Sequence, residues 1–119
     1  MMRSIKEKEN IRLLNTMMKF NVNSIIFHAS NTYEHEMAKA KICYYLKKNG
    51  RNFICEATFV NGCRADIFDI TWGIALEVLH TEKEENIDIK REKYPVFVNP
   101  VSATEILECD FAQLDKYLN

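Results

Sequence analysis

Residues 53–80, FICEATFVNGCRADIFDITWGIALEVLH, decide the fold. Three short apolar runs follow one another here: FICEATFV, CRADIFDI and IALEVLH. Asn61-Gly62 separates the first two and is the strongest short hairpin signal, because both residues tolerate the positive φ of a tight turn. Thr71 to Gly73 forms a second tight connection. The segment reads as three antiparallel strands in a meander. Taken as a two-residue loop, Asn61-Gly62 sets Ala57 opposite Asp66. Taken the same way, Thr71-Trp72 sets Asp66 opposite Glu77. Directly opposed residues share a face, so Ala57, Asp66 and Glu77 form one row. Phe59, Arg64 and Leu79 form the row on one side, and Cys55, Phe68 and Ala75 the row on the other. Glu56, Asp69 and His80 point to the opposite face.

Two carboxylates opposed on a central hairpin repel each other and lose hydration. Such a pair calls for a cation. A divalent metal is one answer, since hard Mg²⁺ takes carboxylate oxygens and waters. Arg64, two residues from Asp66, is the other, and it would make a purely structural ion network.

Upstream, Asn31 or Thr32 caps a helix that runs to about Asn49 and stops at Gly50. Ala38, Ile42, Tyr45 and Leu46 form its inward stripe, with His35 near the middle, Lys39 on the flank and Glu36 further round. His35 and Lys39 project from the helix start towards the sheet. Their plain readings are a hydrogen-bonded core histidine and a snorkelling lysine. Downstream, Glu82 to Lys93 reads as a charged helix capped by Thr81 and anchored by Ile87. YPVFVN, residues 94–99, follows as a strand opened by Pro95. At the start of the chain, residues 5–20 read as an amphipathic helix with Ile11, Leu14, Met17 and Met18 on its apolar side. NVNSIIFHAS, residues 21–30, reads as a strand or extended connector, and residues 103–118 as a final helix in one or two pieces. No repeat or linker interrupts the order, so residues 1–119 are expected to form one domain. Its class is α/β (α+β in some schemes), a mixed sheet with helices on both faces.

With 119 residues, 47% of them hydrophobic and only 3 Gly and 2 Pro, the chain can fill a core and is not a disordered or low-complexity segment. Its formal net charge of -1 gives no global basic field to attract a polyanion. The four cysteines, at 43, 55, 63 and 109, form no CxxC pair, which argues against a structural zinc site. The N-terminal MMRSIKEKEN is charged and no apolar run is long enough to span a bilayer. Free thiols in a reducing, intracellular (cytoplasmic) setting are therefore expected, with no membrane partner.

The order of helix, three-stranded meander, helix and strand resembles the core of the PD-(D/E)XK nuclease superfamily, a restriction-endonuclease-like α-β-β-β-α-β fold, here with an extra helix at each end. The spacing of Asp66 and Glu77 resembles that superfamily's two metal-binding carboxylates. Within it the chain is most similar to the competence protein CoiA-like group. The pieces are His35-Glu36-Met37-Ala38-Lys39, Arg64-Ala65-Asp66-Ile67 and Leu76-Glu77-Val78, in the order H-x-x-A-K, R-x-D-V/I and I/L-E-V. The likeness covers about residues 32–100. It implies metal-dependent hydrolysis of a phosphodiester in DNA. Asp66 and Glu77 would hold Mg²⁺ or Mn²⁺, the Val78 carbonyl would add a ligand, and Glu36 and His35 would assist. It also implies a homodimer as the form that cuts two strands. One departure matters: the motif's lysine is replaced by Leu79. Either Lys39, or more weakly Lys83, supplies the ammonium from elsewhere, or the enzyme works without it. The third reading is a catalytically inactive nuclease fold that serves as a DNA-binding or protein-interaction module, as in a viral or mobile-element accessory protein.

Lys39, Lys41, Lys47, Lys48 and Arg51 cluster in KAKICYYLKKNGR and, with Arg64, form the candidate nucleic-acid patch. The plain alternative is a solvated helix face. Lys90, Arg91 and Lys93 form a second basic cluster, offset by Glu82, Glu84 and Glu85. His28 and His80 read as structural, and Trp72 as packing under a neighbouring loop. No glycine-rich phosphate loop is present.

Overall fold

The computed structural model describes residues 3–17, 19–80 and 84–119. Met18 of the expected helix stripe, the expected cap Thr81, Glu82 and Lys83 lie outside the described residues. The elements are α1 (Ile5–Ile11), α2 (Tyr33–Lys48), β1 (Phe53–Thr58), β2 (Arg64–Asp69), β3 (Ile74–Leu79), α3 (Glu84–Lys93), β4 (Phe97–Ser102) and α4 (Ala103–Glu108). A 3-10 turn at Phe111–Gln113 and the short α5 (Asp115–Leu118) complete the chain. The strands lie in the order β1-β2-β3-β4. The first two pairings are antiparallel and β3–β4 is parallel, giving an α+β domain with a mixed sheet.

α2 forms where the sequence places it. The Thr32 hydroxyl accepts the His35 N–H at 3.1 Å, which satisfies one orphan donor of the first turn. Glu34 and Glu36 sit at the positive end of the helix, and Lys47 and Lys48 at the negative end. Gly50, at φ +71°, turns the chain away. Ala38, Ile42, Tyr45 and Leu46 are all buried, packed with Phe53, Ile67, Leu76, Val78 and Ile106. A second apolar cluster joins Ile54, Ala57, Phe59, Phe68 and Ala75 to Leu14 and Val98.

The first hairpin departs from the expected register. Cys55 faces Ile67, Ala57 faces Ala65 and Thr58 faces Arg64. Phe59 donates its N–H to the Cys63 carbonyl, and Gly62 its N–H to the Phe59 carbonyl. The loop is therefore Val60-Asn61-Gly62, three residues closed by Gly62 at φ +89°. One residue of shift exchanges the faces of β1 relative to β2. Glu56, not Ala57, falls opposite Asp66, and Glu56 itself has a left-handed φ of +55°.

The second hairpin keeps the expected register, with Phe68 opposite Ala75 and Asp69 opposite Ile74. It does so with a four-residue connection. Asp69 Oδ1 accepts the N–H groups of Thr71 and Trp72, and its carbonyl accepts the N–H of Gly73.

Three boundaries also moved. The N-terminal helix ends at Ile11 because residues 13–15 are drawn against β1. The Leu13 carbonyl accepts the N–H of Val60, and Asn15 donates to the Thr58 carbonyl. β4 begins at Phe97, three residues later than expected, and includes Pro100, tolerated on an edge strand. The final helix breaks into three pieces. All four cysteines are free thiols. Among the described residues no helix is long and apolar enough to cross a membrane.

Candidate functional site

Asp66 and Glu77 meet where the β2–β3 ladder stops. Ile67–Leu76 is the last backbone pair. Beyond it Asp66 Oδ2 accepts the Val78 N–H at 2.8 Å, and the Asp66 and Glu77 side chains lie near enough to shift each other's ionisation. Burial first, and then the charge of Asp66, push the Glu77 carboxyl up to about 8. Burial alone would also raise Asp66, but hydrogen bonds from His35, Glu77 and the Val78 N–H hold it below its ordinary value.

α2 supplies the next layer. His35 Nε2 lies 3.4 Å from Asp66 Oδ2, and its Nδ1 3.1 Å from Glu36 Oε1. The Asp66 hydrogen bond outweighs burial and raises the His35 pKa. Burial would raise the Glu36 carboxyl, but hydrogen bonds from Lys39, Asn31, His35 and the His28 N–H bring it down to about 2. Lys39 is fully buried. Its Nζ lies 2.9 Å from Glu36 Oε2 and 3.0 Å from Glu56 Oε1. Burial alone would lower the Lys39 pKa, and these two carboxylates raise it instead. Glu56 also lies 3.8 Å from His28 Nε2 and 3.4 Å from Arg64 Nε.

The end of α3 and Tyr94, the residue after it, close the far side. The Tyr94 hydroxyl sits between Glu77 Oε1 and the Arg64 carbonyl. Lys90 Nζ lies 3.6 Å from Glu77 Oε2. The two oxygens of Glu77 are thus met by Lys90 and by Tyr94 four positions on, whose N–H closes the last turn on the Lys90 carbonyl.

No family model, curated protein or solved structure matches this chain. Among the described residues no group of three or more His, Cys, Asp or Glu side chains is arranged to hold a metal ion. Asp66 and Glu77 would supply two protein ligands, and water the rest.

The structure brings His35, Glu36, Asp66, Glu77 and Val78 together. Val78 reaches the pair through its N–H, a donor, where the sequence reading gave a role to its carbonyl. Lys39 joins the network one layer back, against Glu36 and Glu56. Leu79 instead lines a cavity with Ile87, Arg91 and Pro100.

The basic patch on α2 needs correction. Lys39 is 0% and Arg51 4% exposed, so neither can present its charge to a phosphate. Arg51 binds Asp69 at 2.6 Å and the Leu118 carbonyl at 2.9 Å, and stacks over Trp72. Lys41 donates to the carbonyls of Cys109 and Leu107, just past and within the end of α4. Lys47, Lys48 and Arg64 are exposed. Sequence spacing counts charges but does not show which of them tertiary contacts consume.

Glu56, Lys90 and Tyr94 were missed. Glu56 was assigned to the wrong face by a single loop residue. The spacing of Lys90 and Tyr94 was the available signal, since positions four apart on a helix share a face.

Proposed function

We propose that this chain is a restriction-endonuclease-like domain that hydrolyses phosphodiester bonds in DNA with a divalent cation. The observation that carries this reading is the Asp66–Glu77 pair: two carboxylates brought together from adjacent strands where their ladder stops, Glu77 buried and Asp66 half-buried. Carboxylate oxygens are the donors a hard cation takes, and one held between these two would relieve the repulsion between them, with water completing its coordination. Bound there, Mg²⁺ or Mn²⁺ would lower the pKa of a coordinated water and offset charge on the scissile phosphate. The chain's own residues prepare the place. The Val78 N–H fixes one oxygen of Asp66, Tyr94 and Lys90 hold Glu77, and the His35 ring lies 3.4 Å from Asp66.

A specific observation favours a second reading, a nuclease fold that binds without cutting. Leu79 stands where the resembling family has its lysine, and Lys39 is committed to Glu36 and Glu56. Incubating single-stranded and duplex DNA with Mg²⁺ or Mn²⁺ separates the two. Cleavage by the wild type that disappears in both Asp66→Asn and Glu77→Gln is the expected result. A wild type that neither cleaves nor binds the cation by calorimetry overturns the enzyme reading.

A further inference from the structure

We propose that the groove between the start of β2 and the C-terminal half of α3 binds the phosphodiester backbone of a nucleic-acid strand and leads it to Glu77. The groove is about 320 Å³ and is lined by Cys63, Arg64, Ile89, Lys90, Lys93 and Tyr94. Three of those six residues are cations and none is a carboxylate. The Arg64 side chain is 58% exposed and that of Lys90 28%. Lys93 is also exposed. Ile89, half exposed, offers an apolar surface for a sugar or a base.

The groove is held in shape from both walls. Asn61, in the β1–β2 loop, donates its side-chain N–H to the Lys93 carbonyl at 2.6 Å, and the Tyr94 hydroxyl meets the Arg64 carbonyl. The Tyr94 ring also packs on Phe59, with centroids 5.5 Å apart. Because Tyr94 and Lys90 touch Glu77 as well, the groove and the carboxylate pair share a wall. By contrast Lys47 and Lys48 lie about three turns along α2 from His35, roughly 18 Å at 1.5 Å per residue. Of the lining cations, Lys90 faces Glu77 at 3.6 Å and Arg64 faces Glu56 at 3.4 Å.

The choice of a phosphodiester as ligand rests on the reading of Asp66 and Glu77 as a cleavage centre, which requires a strand to pass Glu77. The test is fluorescence anisotropy of a labelled 12-nucleotide single strand with the full chain in EDTA, across a salt series. Poly-glutamate serves as competitor. Each cation that meets a phosphate on a single strand contributes about 0.7 to the slope of log K against log salt. The double variant Arg64→Gln/Lys93→Gln should therefore bind more weakly and flatten that slope by about 1.4.

An unchanged slope overturns the proposal, as does a larger loss in Lys47→Gln/Lys48→Gln. A wild type that prefers poly-glutamate also overturns it, in favour of an acidic peptide partner. Calorimetric Mg²⁺ titration of the wild type and Asp66→Asn keeps the two readings apart. If Mg²⁺ binding depends on Asp66 but DNA binding ignores Arg64 and Lys93, the groove fails and the pair stands. If DNA binding needs Arg64 and Lys93 but no Mg²⁺ binds, the pair fails and the groove stands.

Discussion

Glu77 is 2% exposed and has its carboxyl pushed up to about 8 by burial and by Asp66. Between its ordinary value of 4.5 and 8, the folded state keeps a proton that the unfolded state has released. Its contribution to stability is full below 4.5 and is lost as pH rises towards 8. His35, also raised, acts in the same direction from its ordinary value upward. Glu36, at about 2, acts the other way: its contribution is present above 4.5 and is lost as pH falls towards 2. The melting temperature should peak near pH 5 and decline on both sides. Glu77→Gln mimics the protonated carboxyl and should remove much of the decline between pH 5 and 8, leaving the part due to His35. Thermal unfolding of both proteins across that range checks this, and parallel curves would refute the assignment. Glu56 shows what no sequence reading reaches at this scale. A strand glutamate with φ +55° is a locally unfavourable conformation, held by its contacts with Lys39, Arg64 and His28.

The elements that were legible are those fixed by local chemistry. Thr32, the buried stripe of α2 and Gly50 are contiguous along one helix and its two ends, so cap, face and stop could all be read together. The meander was visible because its turn residues interrupt apolar runs. What escaped depends on distant partners. The N-terminal helix stops early because Leu13 and Asn15 bond to β1 and its loop, more than forty residues away in the chain. The first hairpin slipped because Asn-Gly fits a two-residue turn, while Val60-Asn61-Gly62 uses its glycine as the left-handed closing residue of a longer loop. That glycine supports a prediction. A Cβ at Gly62 meets nothing within 4 Å, so Gly62→Ala pays only for the backbone at φ +89°. The cost should be about 1 kcal/mol, read as a lower urea midpoint with an unchanged slope. A neutral effect would mean that the loop relaxes to another turn.

Across the whole molecule, a net charge of -1 conceals a separation. Glu36, Glu56, Asp66 and Glu77 are gathered inside, beside a groove whose lining carries three cations and no acid. On the proposed reading, this arrangement would tie cation binding to the stability of the fold. A ligand that binds only the folded state stabilises it by RT ln(1 + [L]/Kd), about 2.7 kcal/mol at a hundredfold excess over Kd. For a domain of this size that is a rise of roughly 10 °C in melting temperature. A proton on Glu77, whose carboxyl is pushed up to about 8, would compete with such a cation for the same oxygens, so the rise should be large at pH 8 and small at pH 5. Differential scanning calorimetry with Mg²⁺ at the two pH values measures the difference, and Asp66→Asn should show little rise at either. A rise of equal size at both pH values would place the cation away from Glu77. No rise at pH 8 would leave the proton as the only cation the pair accepts, and the charge separation as a device for holding α2 and α3 against the sheet.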